Sequence, residues 1–461
     1  MLGLILFFTA CTAGSRKSSV PGEQRNFTGA KGEVKLMTLD PGHFHAALVQ
    51  KEMYDQVSPV VYVYAPQGPD LQDHLARIND YNSRDENPTS WDERVYTGDD
   101  YLEKMLAEKP GNVVVISGNN AKKTDYILKS VQAGLNVLAD KPMVISPLKF
   151  PELEQAFRVA AEKGVVLYDI MTERYEITTI LQRELSEIPG VFGRLLKGTP
   201  DDPAIVQKSV HNIFKYVSGN ALKRPAWFFD VQQQGEGMAD VATHLVDLVQ
   251  WEAFPEMALS KEDVEILSAR HWGIGLTQEM FAKVTQLDSF PDFLRTYVEN
   301  NILKYYCNGE INYKLRGVSA KVMVTWDFEA PEGTGDTHYA MMRGSSCNLV
   351  IRQGQEQHYQ PTLYIETSAG TESESFAMNL EKAVDQDMAL TYPGIKLIKL
   401  SNKQWTVEIP EKYNVGHEAH FAQVSRNYLS YLKQGHLPDW EVPDMIVKYY
   451  TTTEGLKKAM E

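Results

Sequence analysis

The chain has 461 residues, 43% hydrophobic and 23% charged, which excludes a fibrous or disordered protein and leaves room for two or three domains. Its formal net charge of -15 disfavours nucleic acids and anionic membrane surfaces as partners. No cysteines stand at zinc-finger spacing; with Cys11 set aside, Cys307 and Cys347 remain as one candidate disulfide.

At the N-terminus, Leu2 to Cys11 is apolar but too short to span a bilayer. Phe8-Thr9-Ala10-Cys11 resembles an imperfect lipobox lacking a basic region before it, so residues 1–11 are expected to be a lipoprotein-type signal with Cys11 as the lipidation site. Residues 12–32 then form a flexible tether in which Arg16-Lys17 sits near lipid head groups. This reading places the protein in the cell envelope, lipid-anchored or periplasmic, with that anchor as its one membrane contact. An ordinary disordered N-terminus on a cytoplasmic protein is the competing reading.

Residues 33–165 carry the pattern of a dinucleotide-binding domain. The strand Val34 to Leu39 runs into Asp40-Pro41-Gly42-His43-Phe44-His45. Gly42 lets the backbone approach a pyrophosphate, while Asp40 and His45 stand where a G-x-G-x-x-G turn has its outer glycines. A carboxylate at that point must turn away from a phosphate; the alternative is the turn of a cofactor-free domain. A second strand, Pro59 to Tyr64, lacks the usual ribose-binding acid at its end, and Asp70 is the candidate for that role. From Tyr64 through Ala76 there is no Lys or Arg for a 2′-phosphate, which favours NAD over NADP.

The β-branched run Val113 to Ile116, a helix over 121–133 stopped by Gly134, and the strand Asn136 to Ala139 form one βαβ unit. Its strands end at Ser117 and Asn119 and at Asp140-Lys141-Pro142, the edge where open α/β sheets bind ligands. Ser117, Asn119, Asp140 and Lys141 therefore join Asp40, Gly42, His43, Phe44 and His45 as cofactor-binding candidates.

Beyond residue 165 the pattern turns antiparallel, and residues 166–410 are expected to form a second domain. Arg174 and Tyr175, after the strand Val166 to Met171, are candidate substrate-binding residues, with helix packing as the competing role. His211 and Trp227 are further candidates, because aromatic faces suit sugar rings, although core packing is the commoner fate of such residues. In the run Gly235 to Asp247, Asp240 and His244 share one face if the segment is helical, and Asp247 would complete an imidazole between two carboxylates. A histidine capping an interior polar network gives the same pattern.

A sheet should begin near Arg194 to Gly198. Lys321 to Phe328 alternates as a half-buried strand, and further strands are expected at 348–353, 362–367, 395–400 and 404–409. Residues 411–461 should form terminal helices packed against the first domain. Gly416-His417-Glu418-Ala419-His420 lacks the H-E-x-x-H spacing of a zincin, and His43-x-His45 lacks a third identified ligand, so no metal site is expected.

Asp140-Lys141-Pro142 in the place of Glu-Lys-Pro, the glycine-rich entry to Asp240, His244 and Asp247, and the N-terminal βα turn together resemble the Gfo/Idh/MocA superfamily of nicotinamide-dependent oxidoreductases, over most of residues 33–251. The resemblance implies an α/β protein, with a Rossmann-like parallel-sheet domain followed by a domain with a large open, mainly antiparallel sheet that also serves homo-oligomerisation. It implies that Lys141 contacts the nicotinamide and the reacting hydroxyl, that His244 is the acid/base, and that Asp240 binds substrate or orients the histidine. The expected reaction moves a hydride between NAD(H), tightly bound in an envelope poor in free cofactor, and a carbinol carbon of a sugar, glycoside or polyol. The alternatives are glycoside cleavage by transient oxidation and elimination, a cofactor-free sugar-binding lipoprotein, and metal-dependent hydrolysis through His43, His45 and His244.

Overall fold

The computed structural model describes residues 27–461 apart from 218–219, 331–333 and 372, so Cys11 and the Arg16-Lys17 pair lie outside the described residues. Six parallel strands form the first sheet: β1 (Leu36–Leu39), β2 (Val60–Ala65), β3 (Asp92–Thr97), β4 (Val113–Ile116), β5 (Asn136–Asp140) and β6 (Leu167–Ile170), in the order β3-β2-β1-β4-β5-β6. Both faces of β1 and β4 are buried, as a parallel sheet covered by helices requires. Those helices are α1 (His45–Leu48), α2 (Pro69–Ser83), α3 (Tyr101–Glu108), α4 (Asn120–Gln132) and α5 (Phe150–Lys163). Sequence reading missed β3, because Asp-Glu-Arg-Val-Tyr-Thr is a largely exposed edge strand with no apolar run. The chain leaves β1 toward β2 on one side and meets β4 on the other, so a crevice opens at the carboxyl ends of β1 and β4.

The second sheet has ten strands and is mixed. Its strand β7 (Ile205–Phe214) runs parallel to Val318–Glu329 and antiparallel to Thr337–Arg343, and the remaining pairings are antiparallel. Val322, Val324 and Trp326 face the core from one side of their strand, as the alternation predicted. Arg194 to Gly198 carries only isolated bridges, from Leu195 to Gly344 and from Gly198 to Pro203, and the sheet starts at Ile205 instead. Cys307 and Cys347 are both free and buried in different apolar clusters, which precludes the disulfide between them.

Two further helices pack on the second sheet: α6 (Ile177–Ser186) and α7 (Ala242–Ala253). Phe421, Val424 and Tyr428 of the helix His417–Gln434 belong to the apolar core of the parallel sheet. The helix Glu441–Met460 serves both cores, with Met445 and Tyr449 in the first and Val447 and Leu456 in the second. Its Lys448, fully buried, lies 2.8 Å from Asp169 at the end of β6 and 2.8 Å from Asp247 on α7. A buried charge is tolerated only when paired in this way.

Candidate active site

A cavity of about 780 Å³ separates the carboxyl edge of the parallel sheet from the second domain. His43, Phe44, His45 and Lys141 face it from the first domain, and Asp240 and His244 from the second. Lys141 Nζ lies 2.6 Å from Asp240 Oδ1, and the other carboxylate oxygen accepts from Gln234 Nε2 at 2.8 Å. Asp240 precedes α7, which starts only at Ala242, so a turn rather than helical spacing positions it.

His244 Nδ1 is buried without a hydrogen-bond partner. Burial, and then the Lys141 ammonium, drive the imidazole well below its usual range, so it stands neutral. The expected sandwich between two carboxylates does not form, because Asp247 points away and is held at 2.7 Å by both Nε and Nη2 of Arg174 as well as by Lys448. Against the effect of its burial, Arg174 and then Lys448 keep that carboxyl well below the ordinary carboxylate range. Arg174 is consequently not a lining residue: its Nη1 bonds Glu441 at 2.9 Å, and a guanidinium satisfied by two carboxylates has little left for substrate. Tyr175 packs against the first core and is likewise outside the cavity.

The βα turn has an unusual economy of hydrogen bonds. Asp40 adopts φ 47°, and its carboxylate turns away from the turn to accept from Tyr126 Oη at 2.8 Å and Lys122 Nζ at 2.9 Å. The amides of Gly42 and His43 both donate to the Ser117 carbonyl, at 3.2 and 3.3 Å. A Cβ at Gly42 would stand 2.9 Å from Asp70 Oδ2 and 3.2 Å from Trp227 Cζ2, and Trp227 Nε1 donates to that same oxygen at 2.8 Å. Trp227 thus covers the turn rather than lining the cavity, and Asp70 is engaged by it. Asn119 caps α4 through the Ala121 amide and reaches across to Gln233 at 2.8 Å, placing it in the contact between domains.

A dinucleotide's nicotinamide end fits the polar groups here: the unpartnered His244 Nδ1 and the Lys141 ammonium belong to residues lining the cavity, and the unpartnered, buried Asp140 Oδ1 belongs to the residue preceding Lys141. At the pyrophosphate end the fit requires Trp227 and Asp70 to swing off Gly42. Arg77, one residue past the cation-free stretch, borders a small cleft with Gly42, Asp70 and Asp73, and the two carboxylates there oppose a 2′-phosphate.

His211 does line the cavity, with Nδ1 3.1 Å from Asp336 Oδ2 and Nε2 3.1 Å from Ser209 Oγ. Sequence reasoning missed Glu173, Asp336, His338 and His417, which border the same space. Burial, then the neighbouring Glu176, push the Glu173 carboxyl up to about 7. The only signal for His417 was the motif set aside as a failed zincin; the entry of its helix brings that ring 5.3 Å from His45.

The oxidoreductase family with an NAD-binding Rossmann fold, GFO_IDH_MocA, matches residues 45–169, and the family described as "Putative oxidoreductase C terminal domain" matches residues 181–460. A crystal structure from Parabacteroides merdae, described as "a putative oxidoreductase", is 57% identical, covers 95% of this chain and 99% of its own, and superposes with a TM-score of 0.93. A levoglucosan dehydrogenase solved with NADH and levoglucosan shares the fold at 11% identity, covering 93% and 97% with a TM-score of 0.56. A 3-ketoreductase from Actinomadura kijaniata, solved with NADP, does so at 14% identity, covering 92% and 97% with a TM-score of 0.53. No curated protein matches the chain.

Proposed function

Since the chain belongs to the Gfo/Idh/MocA family of NAD(P)-dependent oxidoreductases, we propose that it oxidises or reduces a carbinol carbon of a sugar, glycoside or polyol in the cavity between its two sheets, using NAD in preference to NADP. The observation that carries this reading is that Lys141 and His244, distant in sequence, border one cavity at the carboxyl edge of the Rossmann sheet. The levoglucosan dehydrogenase, solved with the anhydrosugar levoglucosan, supports the substrate class, and the 3-ketoreductase supports carbonyl–carbinol chemistry on this fold. Trp326 offers an aromatic face in the same cavity.

In the oxidative direction the neutral His244 takes the hydroxyl proton, and the Lys141 ammonium stabilises the negative charge that develops on that oxygen. Asp240 acts on Lys141 rather than on His244, holding the ammonium in place. Bound nicotinamide supplies the hydride acceptor at C4. Asp140, Lys141, Ser117 and the turn from Asp40 to His45 would hold the dinucleotide, with Phe44 beside it.

We extend the proposal to location and assembly: lipidation at Cys11 anchors the enzyme in the cell envelope, the cofactor stays bound through many turnovers, and the open sheet pairs copies of the chain. A redox-neutral variant, in which transient oxidation acidifies the adjacent C–H and permits elimination of the glycosidic bond, is favoured by one observation. Glu173, whose carboxyl is pushed up to about 7 and so keeps a substantial protonated fraction at neutral pH, is a donor to a leaving oxygen in the same cavity.

The test is to denature the purified protein and assay the supernatant for NAD and NADP, then to incubate native protein with a glycoside and polyol panel. Keto products two mass units lighter, absent with H244A, support the dehydrogenase; a released aglycone without net NADH supports elimination. Absence of nucleotide both as purified and in binding titrations, with sugar binding retained, would leave the cofactor-free lipoprotein.

A further inference from the structure

We propose that His43, His45 and Asp140 form a binding site for one divalent transition-metal ion of the zinc class, with its open coordination position toward the cavity. The ligand atoms of these three residues all lie within 4.8 Å of one another. His45 Nδ1 stands 3.0 Å and His43 Nδ1 3.6 Å from Asp140 Oδ2. Tetrahedral zinc with bonds near 2.05 Å separates neighbouring ligand atoms by roughly 3.3 Å, and the two observed edges bracket that spacing.

The hydrogen bonding of the cluster is incomplete without a cation. The His45 amide donates to His43 Nδ1 at 3.4 Å, which assigns that nitrogen a lone pair and no proton. That amide contact is long, and His43 Nδ1 stands 3.6 Å from Asp140 Oδ2, beyond hydrogen-bond distance, while the same oxygen lies 3.0 Å from His45 Nδ1. Asp140 is 3% exposed, and its second oxygen, Oδ1, has no partner at all. A cation would engage the lone pair and the carboxylate together and satisfy what the protein leaves open.

The surroundings are built as a metal site requires. Ser117 Oγ donates to Asp140 Oδ2 at 2.9 Å, an outer partner that fixes the carboxylate. Two nearby cations oppose an added charge, and each is already occupied: Lys123 Nζ donates to the carbonyl of Asp140 at 2.9 Å, and Lys141 pairs with Asp240. Two histidines and one carboxylate suit zinc or cobalt, and three protein ligands leave a fourth position free; His43 and His45 border the cavity that Lys141 and His244 also line. His43, His45 and Asp140 are also assigned to the dinucleotide cradle, so the proposal concerns the nucleotide-free protein, in which metal binding is measured without turnover.

The experiment strips full-length protein with chelator and titrates it with Co²⁺ alone, following the visible ligand-field absorption, with bound metal counted by elemental analysis. One equivalent with the intensity of a four-coordinate ion is expected, and H43Q, H45Q and D140N should each weaken binding about tenfold or more, whereas H436Q, an exposed histidine outside the cavity, should not. Circular dichroism verifies that each variant is folded. For wild-type protein loaded with Cu²⁺, electron paramagnetic resonance should show coupling to two imidazole nitrogens, a readout that needs no variant. Sub-stoichiometric uptake without the absorption band, affinity unchanged in H43Q and H45Q, or a copper spectrum with fewer than two coupled nitrogens overturns the proposal.

Discussion

Lys141 Nζ and Asp240 Oδ1 meet at 2.6 Å, joining the last residue turn of a parallel strand to the loop that launches a helix in the other domain. Both side chains are about one-tenth exposed, 11% and 9%. Removing one partner leaves the other charge nearly buried and alone, which costs about 3–5 kcal/mol. D240A should therefore lower the melting temperature and the turnover number together, and K141M should abolish turnover while K141M/D240L recovers most of the stability and none of the activity. Thermal melts and steady-state kinetics on wild type and these three variants check the claim.

H244N should reduce kcat by about 10²–10⁴-fold with little change in KM. Because the imidazole is held well below its usual range by burial and by Lys141, the base form persists as pH falls through 6.5. The acid limb attributable to this residue in kcat/KM for oxidation should lie below that value; a limb at 6.5 or higher that vanishes in H244N would contradict the assignment.

Glu173 titrates in a different direction. Its folded-state value of about 7 exceeds the 4.5 of an exposed glutamate, so the native state binds its proton more tightly than the unfolded chain does. That contribution to stability is complete below pH 4.5 and is lost as pH rises through 7, a swing of about 3 kcal/mol. E173Q should be more stable than wild type at pH 8 and gain little at pH 4, which denaturant titrations at the two pH values will show.

Trp227 and Asp70 sit over Gly42, where a pyrophosphate needs backbone access. W227L should tighten nucleotide binding several-fold by releasing that cover, and G42A should weaken it, since an added Cβ would stand 2.9 Å from Asp70 Oδ2. Calorimetric titration with NAD distinguishes the two effects.

Arg174 supports the fold rather than the substrate. R174M strands Glu441 and leaves Asp247 with Lys448 alone, so it should cost about 3–5 kcal/mol and leave KM near the wild-type value at temperatures where the variant is folded. A large rise in KM without loss of stability would reinstate the pocket role.

Period and composition alone determined the parallel domain. The Val113 to Ile116 run, the helix ending before Gly134 and the strand ending at Asp140 are local patterns, and each element's burial follows from its own residues. Strand β3 escaped notice because edge strands carry charge instead of an apolar signal. Lys141, Asp240 and His244 were legible as reactive types at plausible positions, and the cavity unites them.

Which carboxylate serves which cation could be decided only in three dimensions. Asp247 and Asp240 flank His244 in the sequence, yet one pairs with Arg174 and Lys448 from other elements and the other with Lys141 from the opposite domain. The third member of the His43 and His45 cluster, Asp140, lies 95 residues from His45 along the chain and 3.0 Å away in space. A sequence pattern reports what a residue can do within its own turn or strand; long-range charge pairing is fixed by how separate elements dock, because burial compels each charge to find whatever partner the docking supplies.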